Sequence, residues 1–291
     1  MPTPSGVFLI DKPVGPSSRA ALDAMERRLS MGAFGHTGTL DPLASGLLVV
    51  LAGSARRLQD LLMGSRKVYD AELTFGVTSE TLDGEGPLSP TDRPVPLLDA
   101  ALGPVLASLI GEVEQVPPAH SAIHVEGKRS YDLARKGSVP KLKPRRVRID
   151  SIDVLSAAES SARIRVTCGP GTYIRSLARD IGEAFGCGAY LSGLRRIRNG
   201  RFDVSDAVAP DAVGTNDLVT LSDVLAPFAR IDVDRKIAFM LSLGQTAPEL
   251  DVPKDEPAFA WHDGDPVCRL RKCDGGGRSD LRLREILGDA G

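Results

Sequence analysis

The chain has 291 residues, 42% of them apolar and 25% charged, and its 36 Lys/Arg against 38 Asp/Glu leave a net charge of −2. That profile is of an ordinary globular protein with room for one large domain and a small one. No apolar run approaches the roughly eighteen residues of a membrane span, and the N-terminus lacks the basic-then-apolar layout of a signal peptide, so a cytoplasmic protein without membrane association is expected. Cys168, Cys187, Cys268 and Cys273 fall in no metal-binding spacing and sit apart from the four histidines, so reduced thiols and no metal are expected.

In chain order, Gly6-Val-Phe-Leu-Ile-Asp11 reads as a short buried strand running into the turn Lys12-Pro-Val-Gly-Pro16. Ser17 or Ser18 then caps a helix to about Leu29, with Ala21, Leu22, Met25 and Leu29 at helical spacing. Leu47 to Ala52 is a continuous apolar strand, a short helix spans 54–62, and Lys67 to Gly76 alternates as a strand with Val68, Ala71, Leu73 and Phe75 as its apolar positions. An acidic turn, 78–86, leads through a Pro-rich linker to a helix over 97–110. Two short strands broken by Pro117-Pro118 and a basic helix at about 129–136 come next. Strands are expected at 146–155, 162–168 and 188–198. Between the last two, Gly169-Pro-Gly-Thr-Tyr-Ile-Arg175 opens a helix whose apolar face carries Ile174, Leu177, Ala178, Ile181 and Phe185. Beyond 202 the chain turns acidic, and a boundary at 225–232 sets off a small β-rich module.

The near-neutral total hides an asymmetry. Residues 120–201 hold 17 Lys/Arg and 7 Asp/Glu, a local charge of +10. A segment that basic inside an acidic remainder suggests a polyanionic partner, because cations displace condensed counterions from phosphates; a merely solvated basic face is the alternative.

One stretch stands out: Gly35-His-Thr-Gly-Thr-Leu-Asp-Pro-Leu-Ala-Ser-Gly-Leu47. Three glycines and a proline shape a loop in which the backbone can approach a ligand, with Asp41 held extended before Pro42. By itself an Asp-Pro pair is more often an Asx-turn than a catalytic group. This loop, however, closely resembles the signature loop of the TruB family of pseudouridine synthases, and four further segments agree in order. These are Leu9-Ile-Asp-Lys-Pro-Val-Gly-Pro-Ser-Ser18, then Lys67-Val-Tyr-Asp-Ala71 with Thr81-Leu-Asp-Gly-Glu-Gly86, then Gly171-Thr-Tyr-Ile-Arg-Ser-Leu177, and Gly188-Ala-Tyr-Leu-Ser-Gly-Leu-Arg-Arg196. The matches span about residues 6–200.

The resemblance implies an α+β protein: a pseudouridine synthase catalytic domain (1–228, with a basic insert at about 120–148) around a central mixed, largely antiparallel sheet flanked by helices, and a small β-rich PUA-like C-terminal domain (229–291). It implies an isomerase that converts uridine-55 in the T loop of tRNA to pseudouridine without a cofactor. Asp41 is then the catalytic carboxylate and Arg175 its ion-pair partner. His36 inserts into the T loop when the target base is flipped out, Tyr69 stacks on that base, and Tyr173 and Leu194 line the pocket. Lys12 is a cation of the first motif with more bearing on structure than on chemistry. Lys128, Arg129, Arg135, Lys141, Lys143, Arg145 and Arg146 form a phosphate-tracking surface. The chain departs from the family at His124, where lysine is common, and at Ser45, where threonine is. A stand-alone monomer acting on the tRNA T-arm is the main expectation. A guide-RNA-dependent subunit and an RNA-folding protein are the alternatives.

Overall fold

The computed structural model describes residues 4–120, 124–125, 128–129, 142–248 and 250–284, of which 124–125 and 128–129 are described in backbone alone. β1 (Gly6–Lys12) is buried along almost its whole length, and the helix Ser18–Leu29 follows it, the Ser17 hydroxyl accepting from the Ala20 N–H as its cap. β2 (Gly35–His36) leads into the signature loop and β3 (Ala44–Ala52), which is buried at every position but Ser45. β3 reads as unbroken apolar sequence because both of its faces are covered. The single helix expected over 54–62 is a 3₁₀ segment, Gly53–Leu58, followed by one α-helical turn, Gln59–Met63.

β4 (Lys67–Phe75) alternates strictly, but its buried parity is Lys67, Tyr69, Ala71, Leu73 and Phe75. Val68, expected among the apolar positions, lies on the other face, since side chains two apart share a face and 68 is out of step with 71, 73 and 75. β5 (Val77–Ser79) and β6 (Leu88–Pro90) form a small hairpin that brackets the acidic turn, and the helix Leu98–Ser108 precedes β7 (Gly111–Gln115). β8 (His124–Val125) pairs with β9 (Lys128–Arg129). Most of the basic helix expected at 129–136, including Arg135, lies outside the described residues, as does Lys141.

β10 (Arg145–Ala157), β11 (Ser161–Cys168) and β12 (Ala189–Asn199) complete the large sheet, with the amphipathic helix Ile174–Phe185 between the last two. The short β13 (Phe202–Asp203) and β14 (Leu218–Thr220) belong to the same sheet. Its order is β14-β1-β3-β12-β4-β11-β10-β7, with β2 beside β3 and β13 beside β12. All of its pairings are antiparallel except β3 with β12, which run parallel through Leu194–Ala44, Arg195–Ser45 and Arg196–Gly46. At that junction Gly46 has φ +96°, and a Cβ there would lie 2.3 Å from the Arg196 carbonyl oxygen. Only glycine lets the end of the signature loop lie so close to the last core strand.

One face of the sheet packs Phe8, Leu48, Val50, Leu73 and Ile164 against the helices Ser18–Leu29, Leu98–Ser108 and Ile174–Phe185. The other face, through Val7, Leu9, Leu47, Val49 and Leu51, packs against Leu58 and Leu62 and against Phe259, Trp261 and Leu283. Phe259 and Trp261 belong to a second sheet built from β15 (Ala229–Asp232), β16 (Thr246–Pro248), β17 (Ala258–His262), β18 (Asp265–Cys273) and β19 (Gly276–Arg282), in the order β15-β17-β18-β19-β16, and Leu283 directly follows its last strand. The fold is thus α+β, with the central mixed, largely antiparallel sheet that was expected. Cys168, Cys187 and Cys268 are buried free thiols and Cys273 is a half-buried one. No described helix is long and apolar enough to cross a membrane.

The helix Ile174–Phe185 can approach β12 only because Gly182 has no side chain: a Cβ there would lie 2.2 Å from the Ala189 nitrogen. Gly182→Ala is therefore expected to destabilise the protein by about 1–3 kcal/mol, the usual cost of overpacking. Denaturant unfolding with an unchanged midpoint would contradict this packing.

Candidate active site

The loop from Gly35 to Leu47 is braced from below before it reaches Asp41. The Ser18 hydroxyl, at the start of its helix, donates to the Leu40 carbonyl at 2.9 Å and accepts from the Leu40 N–H at 2.8 Å. The Gly15 N–H donates to the Pro42 carbonyl at 2.8 Å, and the Ala44 N–H to the Asp41 carbonyl at 3.0 Å. The first motif and the signature loop are thereby one braced unit, with the Asp41 backbone fixed on both sides.

The Asp41 side chain meets Arg175, which projects from the first turn of the helix Ile174–Phe185 and is 93% removed from solvent as a side chain. Arg175 Nη2 lies 2.9 Å from Asp41 Oδ2 and donates at 3.0 Å to the His120 carbonyl. Its Nη1 lies 3.1 Å from Asp83 Oδ2 and donates at 3.2 Å to the Thr81 carbonyl. A single guanidinium therefore gathers the signature loop, the acidic turn and the segment leading into the basic insert. Asp83 is fully buried, and its other oxygen accepts from the Thr81 hydroxyl at 2.5 Å and the Glu85 N–H at 3.1 Å. Asp41 keeps a partly exposed carboxylate, at 36% side-chain exposure, so it alone of the pair is open to a substrate.

Charge and burial act on Asp41 in opposite directions. Burial pushes its carboxyl above the ordinary value, Arg175 and Lys12 pull it down, and Asp83 pushes it up. Lys12 is fully buried, its Nζ donating to the Pro13 and Pro16 carbonyls at 2.8 Å each, and burial lowers its pKa against the pull of Asp41. It therefore holds the turn of the first motif. His36 is half-buried on β2, its Nδ1 facing the Gly38 N–H at 3.4 Å. Burial and then the positive charges of Arg196 and Arg19 lower its pKa, which favours a neutral imidazole. Tyr69, on the buried parity of β4, is desolvated, which raises the pKa of its phenol, with Arg196 opposing.

The remaining expected residues lie on the neighbouring elements. Tyr173 sits in the extended position before the helix Ile174–Phe185, its N–H donating to the buried Gln115 side chain at 2.8 Å and its ring under the Arg145 guanidinium at 4.6 Å. Arg145, expected among the phosphate-tracking cations, is also hydrogen-bonded to the Gly171 carbonyl. Leu194 is half-buried on β12 between Ala44 and Ala71 of the flanking strands. Asp41 and Arg175 thus meet directly. Lys12 and Tyr69 lie within electrostatic reach of Asp41, whereas the contacts of His36 and Tyr173 described above are with other residues.

Three residues were not singled out by sequence. Asp83 lies inside a segment whose motif was visible, but its contact with Arg175 spans 92 positions. Gln115 ends β7 and looks like any strand-edge polar residue. Arg196 was one of several arginines in a basic run, yet it is fully buried, its Nε donating to the Leu47 carbonyl at 2.6 Å and Nη2 to the Gly38 carbonyl at 3.1 Å. The signal was its parity with Leu194 on an alternating strand. Among the described residues no group of three or more His, Cys, Asp or Glu is placed to hold a metal ion.

Residues 26–174 match the model of the TruB family pseudouridylate synthase N-terminal domain, and residues 175–237 match that of the tRNA pseudouridylate synthase B C-terminal domain. The chain belongs to the TruB family of pseudouridylate synthases. It is accordingly an isomerase. Similar relatives are the tRNA pseudouridine synthase B of Xanthomonas campestris pv. campestris strain B100, 41% identical over 90% of this chain and 88% of its own, and that of Cupriavidus taiwanensis, 43% identical over 85% and 82%. Among solved structures, the fold resembles a chain of a Cbf5-Nop10-Gar1 complex, with a TM-score of 0.71 and 21% identity over 97% of this chain and 85% of that one. A chain of an H/ACA RNP bound to a substrate RNA containing 2'-deoxyuridine gives a TM-score of 0.70 at 20% identity, over 98% and 86%. The two TruB models meet between Ile174 and Arg175, although both sides of that point belong to one sheet and one site.

The charge balance around Asp41 has a direct readout. Asp83→Asn removes a negative neighbour and should lower the pH at which Asp41 titrates, whereas Lys12→Met removes a positive one and should raise it. Carbon-13 NMR of labelled aspartate, assigned with Asp41→Asn, would follow both shifts; no change in either variant would contradict the electrostatic coupling.

Proposed function

We propose that this TruB-family chain isomerises uridine-55 in the T loop of tRNA to pseudouridine, alone and without a cofactor. The observation that carries the reading is a partly exposed Asp41 carboxylate fixed by a buried arginine at the edge of a loop resembling the family's signature. The reaction breaks the N1–C1′ glycosidic bond, turns the base, forms the C5–C1′ bond and moves a proton from C5 to solvent while N1 regains one. It needs no net redox change. It does need a carboxylate against the nucleoside and a pocket that retains the detached base.

In this reading Asp41 is the group that meets the reacting nucleoside, and Arg175 holds it ionised and oriented. His36 inserts where the flipped uridine leaves the T loop, a neutral imidazole being able to stack there without carrying charge into the RNA. Tyr69 stacks on the target base, a contact worth about 1–3 kcal/mol, and Tyr173 and Leu194 close the pocket. Lys143 and Arg146, with the cations of the insert, track phosphates, and Arg145 stiffens the rim through Tyr173. We assign the isomerisation to residues 1–228 and a supporting RNA contact to the PUA-like residues 229–291. The enzyme would act as a cytoplasmic monomer with the T-arm as its essential contact and with no obligatory protein partner.

The test is pseudouridine mapping of an unmodified tRNA transcript incubated with the purified protein. Wild type should modify position 55, and Asp41→Asn should fall by at least about 10³-fold while still binding the transcript. Modification at another position, or only after addition of a guide RNA, would overturn the assignment.

A further inference from the structure

Three buried cations lie behind the signature loop, and each is satisfied by backbone carbonyls: Lys12 by Pro13 and Pro16, Lys67 by Met63 and Ser65, Arg196 by Leu47 and Gly38. Lys12 and Lys67 each clamp a nearby turn, within four residues of their own position. Arg196 differs, because its two carbonyls are 149 and 158 positions away, at the end and in the middle of the loop that carries Asp41. Among the described residues no carboxylate forms an ion pair with it. A fully buried guanidinium without a counter-ion is costly, so its retention calls for a task that a neutral side chain of similar size would not perform.

Its surroundings show the task. Gly38 takes φ +140°, and a Cβ there would lie 3.5 Å from Arg196 Nη1, so the loop backbone rests on the guanidinium. Gly46, at the other end of the loop, sits against the Arg196 backbone. Arg196 is also the direct cross-strand neighbour of Tyr69 in the β12–β4 ladder, where facing side chains meet at contact range. One side chain thus touches the loop that presents Asp41 and the strand that presents Tyr69.

We propose that Arg196 is a positioning residue for the isomerisation: its guanidinium locks the signature loop through Gly38 and Leu47 and sets the placement of the Tyr69 side chain, so that loop and tyrosine move as one unit. The inference rests on the reading of Tyr69 as a group facing the target base. Burial raises the phenol's pKa, Arg196 opposes this, and Cys168 and Asp41 are the other titratable groups acting on it. The direction follows: with the guanidinium gone, the tyrosinate loses its nearest positive charge.

The experiment compares Arg196→Lys and Arg196→Met, each alone and combined with Tyr69→Phe, by single-turnover pseudouridine formation on a tRNA transcript, with transcript binding and ultraviolet titration of the phenols measured in parallel. Expected are a fall in the maximal rate of at least about 10²-fold for Arg196→Met with binding changed less than about threefold, a smaller fall for Arg196→Lys, and a rise in the pH at which Tyr69 ionises. Combined with Tyr69→Phe, either change should cost far less than it does alone. Purely additive losses, or losses carried by weaker binding, would overturn the proposal. So would an unshifted phenol titration in a folded variant. If Arg196→Met does not fold, Arg196→Lys and its double variant decide the question alone. An inactive wild type would instead refute the functional reading on which the inference rests.

Discussion

The site depends on a buried guanidinium shared by two carboxylates. Arg175 has given up nearly all of its water, and Asp83 all of it, so each must be matched by protein dipoles and charge or the fold pays several kcal/mol. Asp83 accepts from the Thr81 hydroxyl and the Glu85 N–H, and Arg175 donates to the Thr81 and His120 carbonyls. The second, buried carboxylate tethers Arg175 away from solvent. Asp41 is the carboxylate of the pair that solvent can reach. Such a triad is a weak source of stability but a strong source of geometry.

The sheet delivers these groups from distant parts of the sequence. The parallel junction of β3 and β12 puts Gly46 against Arg196, and the β12–β4 ladder puts Arg196 beside Tyr69. The helix Ile174–Phe185 lies on the covered face, close to β12 because of Gly182, and so holds Arg175 above the loop. On the opposite face, Phe259 and Trp261 of the second sheet, with Leu283 just beyond it, back the strands that carry the loop. The C-terminal sheet therefore supports the floor of the site.

Much of this was legible in the residues. Ser17 as a cap, the continuous apolar run of β3 and the amphipathic pattern from Ile174 to Phe185 are local signals, and each corresponds to the element observed. The errors were local too. Val68 was counted inward because it is apolar, although strand parity reserves that face for Lys67 and Tyr69, a charged and a polar residue that composition alone would send outward. The 54–62 segment lacks the length and cap of a full helix and settles as a 3₁₀ turn and one α-turn. The motif segments named Asp41 and Arg175, and the resemblance implied the ion pair between them that the structure contains. Asp83, Gln115 and Arg196 stayed hidden because their significance lies in contacts across 58 to 158 positions, which no local pattern records.

The central claim is that Arg175 works as a fork, with one prong on Asp41 and the other on Asp83, rather than as a diffuse positive charge. Single-turnover pseudouridine formation by Arg175→Lys, measured on a tRNA transcript at saturating enzyme, tests it most directly, because lysine keeps the charge and loses the fork. A loss of about 10²-fold or more with transcript affinity retained is the predicted result. A rate within about threefold of wild type would mean that charge alone suffices and would contradict the account.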